Sequence, residues 1–347
     1  MWRAIVHSLL SVVLLTSLSR AQPLGTPDRE AISWPHQGPP HQALVNLGRH
    51  LFFDPRLVEN EQQSCASCHN PQMGYADGVA LDLQGHKGWE PAKRNSPSLY
   101  NLAWAPVLHW DGRTPDGQCF MPEDTKEQIC LPPLESQAFK SMRSRQVYTG
   151  FMPKIKKVKA YRDMFKAAFP PHGEITHVNM AFAIAAFERT LVSEHAPFDR
   201  YLQGDRAALT PAARRGLELF RGKAGCIVCH GGPNLTDWRF HNIGLKGSDP
   251  GRGGLAKTDQ DKQAWHKTFR TPTLRNVALT APYMHDGSLG SLEEVVAFYD
   301  RGGDDPTNRS PLMRPLGLTP RQQWDLIAFL YALTATIETA IPVIPGF

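Results

Sequence analysis

The sequence predicts a mainly α-helical protein built from two copies of one unit. A five-residue pattern, Cys-x-x-Cys-His, occurs twice, starting at Cys65 and at Cys226. Downstream of each pattern a longer block repeats, so that residues 96–112 match residues 271–287 at Pro, Leu, Asn, Ala and Asp-Gly positions. Apolar residues elsewhere recur at helical spacing, and no stretch shows the alternation of a half-buried strand. We therefore predict two helical domains, with residues 22–195 and 196–347 as their bounds.

Five helices are predicted in order along the chain. Each shows apolar residues at helical spacing or a recognisable start signal, such as Thr-Pro or a Ser-x-x-Glu capping box. They are residues 41–53, residues 176–192, a helix that starts at Thr210, one from Leu292 to about Asp300, and a last one that starts at Thr319. The first and third lead into the two Cys-x-x-Cys-His patterns, so each unit is expected to place its pattern after a helix.

The composition indicates a soluble globular protein. Of the 347 residues, 41% are hydrophobic and 20% are charged, which excludes a disordered charged chain and a protein with many membrane spans. The net charge is +5, or +3 once Arg3 and Arg20 are left out, and a charge this small does not favour nucleic-acid binding.

The N-terminal residues predict export. Residues 1–21 hold Arg3, an apolar run from Ile5 to Leu18, and small residues at Ser19 and Ala21, which together are typical of a cleaved signal peptide. An uncleaved membrane anchor is the alternative, although the run is shorter than the ~20 residues that span a bilayer. We expect the mature chain in the periplasm without stable membrane insertion.

The two Cys-x-x-Cys-His patterns predict two covalently bound haem c groups. In this pattern the two thiols add to the vinyl groups of one haem, and the adjacent histidine ligates the iron. The residues assigned to haem are Cys65, Cys68 and His69 in the first unit, and Cys226, Cys229 and His230 in the second. Zinc or a redox-active dithiol is the alternative, but two such patterns in an exported chain favour haem. Each domain is therefore predicted to be cytochrome c-like.

Cys119 and Cys130 lie outside both patterns. We predict a disulfide between them, because exported proteins meet an oxidising compartment. A pair of free thiols is the alternative.

Two haems on one chain admit two broad functions, electron transfer or a reaction with peroxide. Carriers usually have Met or His as the sixth ligand of each iron, whereas an enzyme leaves one iron open. Spacing does not choose among the candidate ligands, which are Met73, His86, His109, Met284, His285 and Tyr299. From the residues alone, Met284 is the first choice for the second haem.

Several motifs resemble those of the bacterial di-haem cytochrome c peroxidase family. The similarity is carried by residues 47–57, 64–71, 94–99, 109–113, 269–276, 279–283 and 286–303. In that family an N-terminal haem handles peroxide, a C-terminal haem supplies or stores electrons, and a calcium ion lies between them. The resemblance implies an enzyme that uses hydrogen peroxide and takes electrons from a small cytochrome c, a cupredoxin or a protein substrate. A non-catalytic di-haem electron carrier is the alternative.

At the second haem the sequence is similar to the MauG branch of this family, where tyrosine replaces the usual methionine ligand. The matching position is Tyr299, which would leave Met284 a packing role. A phenolate is a hard anionic ligand that favours high-valent iron, so this resemblance implies that both haems share the oxidation. The alternative is a buried tyrosine whose hydroxyl is hydrogen-bonded.

The resemblance also implies roles for residues between the haems. Trp110 matches a tryptophan that relays electrons between the two centres. Asn95, Thr280 and Pro282 match the protein ligands of calcium, through one side-chain oxygen and two main-chain carbonyls, which are oxygen ligands that this hard cation accepts. The alternatives are core packing for Trp110 and plain turn roles for the other three.

The peroxide pocket matches the family least well. Gln128 and Pro132 resemble residues that line the distal face of the first haem. The acid–base glutamate of the family would fall near residues 138–139, which are Ala and Phe, and Glu135 is the nearest carboxylate. It could transfer protons only if the loop takes a different path, and otherwise it is expected at the surface. His86 matches a displaceable distal histidine within one residue, with a solvated loop histidine as the alternative.

Overall fold

The computed structural model describes residues 21–35, 41–57, 63–79, 94–122, 124, 127–144, 150–336 and 339–346. The predicted leader, apart from Ala21, and His86 lie outside these residues. Among the described helices, none combines the length and hydrophobicity needed to cross a bilayer.

Helices dominate the described part of the chain, which confirms the predicted fold class. They are α1 (Gln42–Phe53), α2 (Cys65–Cys68), α3 (Pro133–Ser144), α4 (Phe151–Ile155), α5 (Lys159–Ala168), α6 (His177–Arg189), α7 (Pro197–Leu202), α8 (Pro211–Arg221), α9 (Asp259–Ala264), α10 (Leu292–Asp300) and α11 (Pro320–Tyr331). The five predicted helices correspond to α1, α6, α8, α10 and α11, and each begins within one residue of its expected start.

Three short antiparallel hairpins accompany the helices in the described residues. They pair β1 (Val107–Leu108) with β2 (Thr114–Pro115), β3 (Gln118–Phe120) with β4 (Ile129–Leu131), and β5 (Phe240–His241) with β6 (Phe269–Arg270). Strands of two or three residues are too short to show an alternating pattern, so the sequence did not predict them. Cys119 lies opposite Cys130 in the second hairpin and is disulfide-bonded to it, which confirms that prediction.

The first core forms where α1 crosses α6. Leu47, Leu51 and Phe52 of α1 are fully buried against the apolar face of α6. The helices approach closely at Gly48, where an added Cβ would collide with the main-chain carbonyl of Ala183. Helices α3 and α5 pack against this pair, so the core extends through residues 44–191.

The second core forms in the same way where α8 crosses α11. Leu217 and Phe220 of α8 are fully buried, and the ring of Phe220 lies 5.1 Å from that of Phe329 in α11. Gly216 gives the close approach here, because a Cβ would collide with the carbonyl of Asp325. This core spans residues 198–333. The domain boundary after residue 195 remains a prediction, and the two cores lie on either side of it.

The predicted duplication is visible in the backbone of the two repeated blocks. Asn101 and Asn276 both adopt left-handed conformations, with φ of 60° and 58°, and each precedes a short 3-10 helix. His109 and Met284 repeat this conformation eight residues later, with φ of 67° and 70°. Equivalent non-glycine residues rarely share this backbone region by chance. One structural unit has therefore been used twice.

Buried amides join the two halves. The Asn101 side chain donates to Asn234 Oδ1 at 2.9 Å and accepts from the main-chain N–H of Ser193 at 2.7 Å. The Ser193 hydroxyl in turn donates to Asn276 Oδ1 at 2.9 Å. Because buried polar groups are stable only when they are hydrogen-bonded, this network holds the two repeated blocks against each other.

Candidate haem-binding sites

In the first Cys-x-x-Cys-His pattern, α2 brings the two thiols and the histidine together. The N–H of His69 donates to the carbonyl of Cys65 at 2.9 Å, which closes the helical turn. The ring Nδ1 lies 3.0 Å from the carbonyl oxygen of Tyr75, whose backbone is left-handed with φ of 57°. A histidine that donates from Nδ1 to a carbonyl keeps its Nε2 lone pair for a metal. His69 is thus oriented as an iron ligand would be.

The second pattern repeats this geometry. The N–H of His230 donates to the carbonyl of Cys226 at 2.8 Å, and its ring Nδ1 lies 3.0 Å from the carbonyl oxygen of Leu235. Leu235 is left-handed with φ of 52°, as Tyr75 is in the first unit. Burial lowers the pKa of His230, which keeps the ring neutral and its Nε2 available for a metal. Burial also raises the pKa of the Cys226 thiol to about 12.

A cavity of about 500 Å³ opens beside the second pattern. This volume lies within the range of small-molecule and cofactor pockets, and most of the lining side chains are apolar. Its walls include Cys226, Cys229 and His230, and three of the candidate sixth ligands, Met284, His285 and Tyr299. Burial raises the pKa of the Tyr299 hydroxyl, and the nearby thiols raise it further. In the described part of the chain, this hydroxyl has no hydrogen-bond partner.

A much smaller cavity, of about 40 Å³, lies at the first pattern. Cys65, Cys68 and His69 form one wall, and residues of α3 and α6 form the other. Ala138, one of the two residues near which the resemblance implies an acid–base glutamate, is part of that wall. Polar groups at the cavity include the side chains of Gln137, Ser141 and Glu188.

Residues of the first half reach the second cavity through the loop around Trp110. The indole Nε1 donates to the carbonyl of Asn95 at 2.8 Å, and both residues line the cavity. Asn95 Nδ2 donates to the carbonyl of Pro282 at 2.8 Å, whereas its buried Oδ1 has no hydrogen-bond partner. Thr280 lines the same cavity, and its hydroxyl donates to Val277 at 3.0 Å. The structure therefore brings together the four residues predicted for relay and calcium binding.

Comparison with known proteins decides the family. The profile of the family described as di-haem cytochrome c peroxidase matches residues 42–207. The chain is 39% identical over 307 residues to the methylamine utilization protein MauG of Methylorubrum extorquens, covering 88% of this chain and 82% of that protein. It is 36% identical over 301 residues to cytochrome c551 peroxidase of Pseudomonas aeruginosa, covering 83% of this chain and 78% of that protein. The chain belongs to the di-haem cytochrome c peroxidase family.

The fold of this peroxidase-family chain is found in solved structures as well. A MauG-like protein associated with microbial copper homeostasis superposes with a TM-score of 0.71 at 30% identity, over 92% of this chain and 95% of that one. The family consists of hydrogen-peroxide-dependent oxidoreductases with two haem c groups. The prediction of a peroxide-using di-haem enzyme is thereby confirmed, over the alternative of an electron carrier.

The residues predicted for the distal pocket of this peroxidase do not reach the first cavity. Gln128 is exposed just before β4, and half-buried Pro132 precedes α3. Glu135 is buried rather than at the surface, and both of its oxygens are paired with Arg189, with Nη2 and Oε2 2.9 Å apart. None of the three lines the cavity at His69. Their roles remain predictions, and the salt bridge explains what holds Glu135 away.

Sequence reasoning missed Glu188, the carboxylate that does line the first cavity. It is 3% exposed, and its Oε2 has no hydrogen-bond partner. Burial, with a smaller contribution from nearby Glu135, raises its pKa to about 8, so the side chain is largely protonated at neutral pH. One sequence signal was present: Glu188 and Arg189 are the charged residues that end an otherwise apolar helix.

Proposed function

We propose that this peroxidase is of the tyrosine-ligated MauG type, with Tyr299 as the second protein ligand of the haem at His230. The observation that carries the proposal is the Tyr299 hydroxyl, which lies at the second cavity without a hydrogen-bond partner in the described part of the chain. Tyr299 is half-buried and lines the cavity beside His230, so its hydroxyl oxygen is open to a metal held there, which favours a ligand over a packing residue. Met284 and His285, the other candidates that line this cavity, would then be packing residues.

The haem, when bound, supplies iron that accepts the oxidising equivalents of peroxide, and the protein provides its ligands and surroundings. His69 and His230 are held by main-chain carbonyls through Nδ1, which fixes the ring orientation and leaves Nε2 for iron. Tyr299 has a raised pKa, so it gives up its proton only when a cation binds at its oxygen. An anionic oxygen ligand stabilises the more oxidised iron, which suits a centre that stores oxidising equivalents.

Trp110 is proposed to relay electrons between the two haems. Its position supports this role, because it belongs to the first half of the chain yet lines the cavity of the second haem. The hydrogen bond from its Nε1 to Asn95 fixes the indole at that boundary.

Asn95, Thr280 and Pro282 are proposed to bind calcium. A buried amide oxygen without a partner costs about 1–3 kcal/mol, and the Oδ1 of Asn95 is such an atom. Turning the amide by half a turn exchanges Oδ1 with Nδ2 and leaves the shape of the side chain unchanged. With Oδ1 turned towards the carbonyl of Pro282, two oxygens would face a common point, as Ca²⁺ requires.

For proton transfer at the first haem, the geometry supports Glu188. It lies at the cavity of His69 and has an oxygen free of hydrogen bonds, whereas Glu135 is paired with Arg189. A carboxyl group that is protonated at neutral pH can deliver a proton to peroxide and take it back. Gln128 and Pro132 can line the distal face only if the segment before α3 moves towards this cavity.

The proposed substrate of a tyrosine-ligated enzyme is a partner protein whose side chain is oxidised at long range. The second candidate is peroxide removal with electrons from a small cytochrome c or cupredoxin, which is favoured by the identity to named cytochrome c peroxidases, such as 36% to IdrP1 of Denitromonas iodatirespirans. We place the enzyme in the periplasm, as supported by the leader pattern of residues 1–21 and by the disulfide between Cys119 and Cys130.

The test of Tyr299 is a titration of the oxidised di-haem protein with hydrogen peroxide, followed by visible and electron paramagnetic resonance spectra of both haems. We expect the unaltered protein to hold oxidising equivalents on both haems without added reductant. Tyr299→His should lose this two-haem oxidation while the first haem still reacts with peroxide. Tyr283→Phe, which alters another tyrosine of the same cavity, is the matched control and should behave like the unaltered protein. Unchanged two-haem oxidation in Tyr299→His would exclude tyrosine ligation.

A further inference from the structure

Arg270, in β6, is a buried cation without a carboxylate partner. It is 3% exposed, and no Asp or Glu among the described residues lies within ion-pairing distance of it. The two other buried arginines of the described residues are each paired twice with a carboxylate, Arg189 with Glu135 and Arg275 with Asp199. Burial alone accounts for the pKa of Arg270, which falls to about 10. The side chain therefore remains charged at neutral pH while its charge is unbalanced.

The hydrogen bonds of Arg270 leave part of its guanidinium unused. Nε donates to the carbonyl of His109 at 3.2 Å, and Nη1 makes a long contact of 3.5 Å with the carbonyl of Thr271. Nη2 has no hydrogen-bond partner in the described part of the chain. The ring of Trp238, 5.2 Å from Cζ, covers one face of the group. These contacts orient the guanidinium but do not neutralise it, and an unpaired buried charge is strongly unfavourable.

Arg270 lines the cavity that holds His230 and Tyr299. Haem c carries two propionate carboxylates, on the edge of the ring away from the two thioether bonds. A guanidinium offers parallel N–H donors that match a carboxylate, so an arginine is well suited to bind one. The group that would enter this cavity therefore brings the anion that Arg270 lacks.

We propose that Arg270 binds a propionate of the second haem and balances its charge. The same residue is joined to the proposed relay, because its main-chain N–H donates to the carbonyl of Trp110 at 2.7 Å. A propionate held at Arg270 would thus be tied through one residue to the backbone of Trp110. The inference rests on haem binding at the second motif, but it is independent of tyrosine ligation and of the reaction with peroxide.

The test is a potentiometric titration of both haems in the purified di-haem protein, with the variants Arg270→Gln and Arg270→Lys. Removing a cation beside a haem favours oxidised iron, so Arg270→Gln should lower the midpoint potential of the second haem. We expect about a tenfold change in its one-electron equilibrium constant, which corresponds to about 59 mV. The propionate bands in the resonance Raman spectrum should shift in the same variant. Arg270→Lys, which keeps the charge, should retain most of the original potential.

The control is Arg215→Gln, which removes the same charge from a partly exposed ion pair with Asp325, outside the cavity. An equal shift of the second haem in Arg215→Gln and Arg270→Gln would overturn the proposal, as would an unchanged potential in Arg270→Gln. If Arg270→Gln is recovered without its second haem, the lysine variant decides. If Arg270→Lys keeps its second haem with a near-native potential, Arg270 balances charge. If Arg270→Lys also loses this haem, Arg270 has a packing role instead. Peroxide reactivity does not enter this measurement, so a failure of the proposed function would be seen separately.

Discussion

The two haem units share their attachment geometry and differ in what surrounds it. In each unit the histidine after the second cysteine is held by a main-chain carbonyl 3.0 Å from its Nδ1. The first unit adds a small cavity with the protonatable Glu188, and the second adds a large, mostly apolar cavity with Tyr299 and Arg270. The two units thus share the residues predicted to bind haem and differ in the side chains around them. The first unit offers a carboxyl group that can transfer protons, and the second unit offers groups that can balance charge on a bound haem.

Buried charge is also arranged differently in the two units. Around the first cavity, burial raises the pKa of Glu188, and the nearby carboxylate of Glu135, which is paired with Arg189, raises it further. Around the second cavity, Arg270 has no carboxylate within ion-pairing distance among the residues that the structure describes, and its charge is left for a ligand. A carboxyl group kept neutral can exchange a proton, whereas a cation kept unpaired attracts an anion. The contrast predicts that substitutions in the two units affect different measurements.

The largest expected effect is on the peroxide reaction when Glu188 is changed to Gln. The amide keeps the size of the side chain but cannot transfer a proton, so we expect the rate of the first-haem reaction with peroxide to fall by about 10²–10⁴-fold. Stopped-flow spectroscopy of the haem bands would measure this rate. The midpoint potential of the second haem should stay the same, because Glu188 belongs to the other cavity.

Glu218→Gln is the control for this substitution, since Glu218 is an exposed residue of α8. It should leave the peroxide rate unchanged. A normal rate in Glu188→Gln would show that another group, such as Glu135 after a rearrangement, supplies the proton.

The second prediction concerns the pH dependence of stability. The pKa of Glu188 is raised from 4.5 to about 8 by folding, so the folded protein favours the protonated form. Its stabilising contribution is therefore complete below about pH 4.5 and is lost as the pH rises towards 8, at up to about 1.4 kcal/mol per pH unit. Glu188→Gln cannot lose a proton, so its free energy of unfolding should exceed that of the unaltered protein by a few kcal/mol more at pH 8 than at pH 5.

Denaturant titrations at several pH values between 4.5 and 8 would measure this difference. The groups that act on Glu188 are Glu135 and Arg189, and both are present in the two proteins compared. Parallel pH profiles for the two proteins would mean that Glu188 is ionised in the folded state across this range.

Local patterns predicted most of the fold and carry the predicted haem attachment, but they did not reveal the groups that distinguish the two units. The helices, the duplication and the disulfide each depend on residues close in sequence or on a repeated motif. Glu188 acquires its properties from its place beside the first motif, and Arg270 from a cavity that offers it no carboxylate among the described residues. Glu135 is paired with a residue 54 positions away. Helical spacing indicates which side chains are buried, but it does not show which buried group meets a cavity.

The smallest predicted effect tests whether the two cores are built alike. Gly48 and Gly216 each lie where the helix before a haem motif crosses its partner, and at each a Cβ would collide with a main-chain carbonyl. Because a backbone oxygen cannot rotate away, Gly48→Ala and Gly216→Ala should each lower the free energy of unfolding by about 1–3 kcal/mol. Gly25→Ala, where the nearest atom would be 3.8 Å from the new Cβ, is the control and should be nearly neutral. Thermal denaturation would compare the three variants, and a large loss at only one of the two helix crossings would show that the duplicated cores no longer depend on the same close contact.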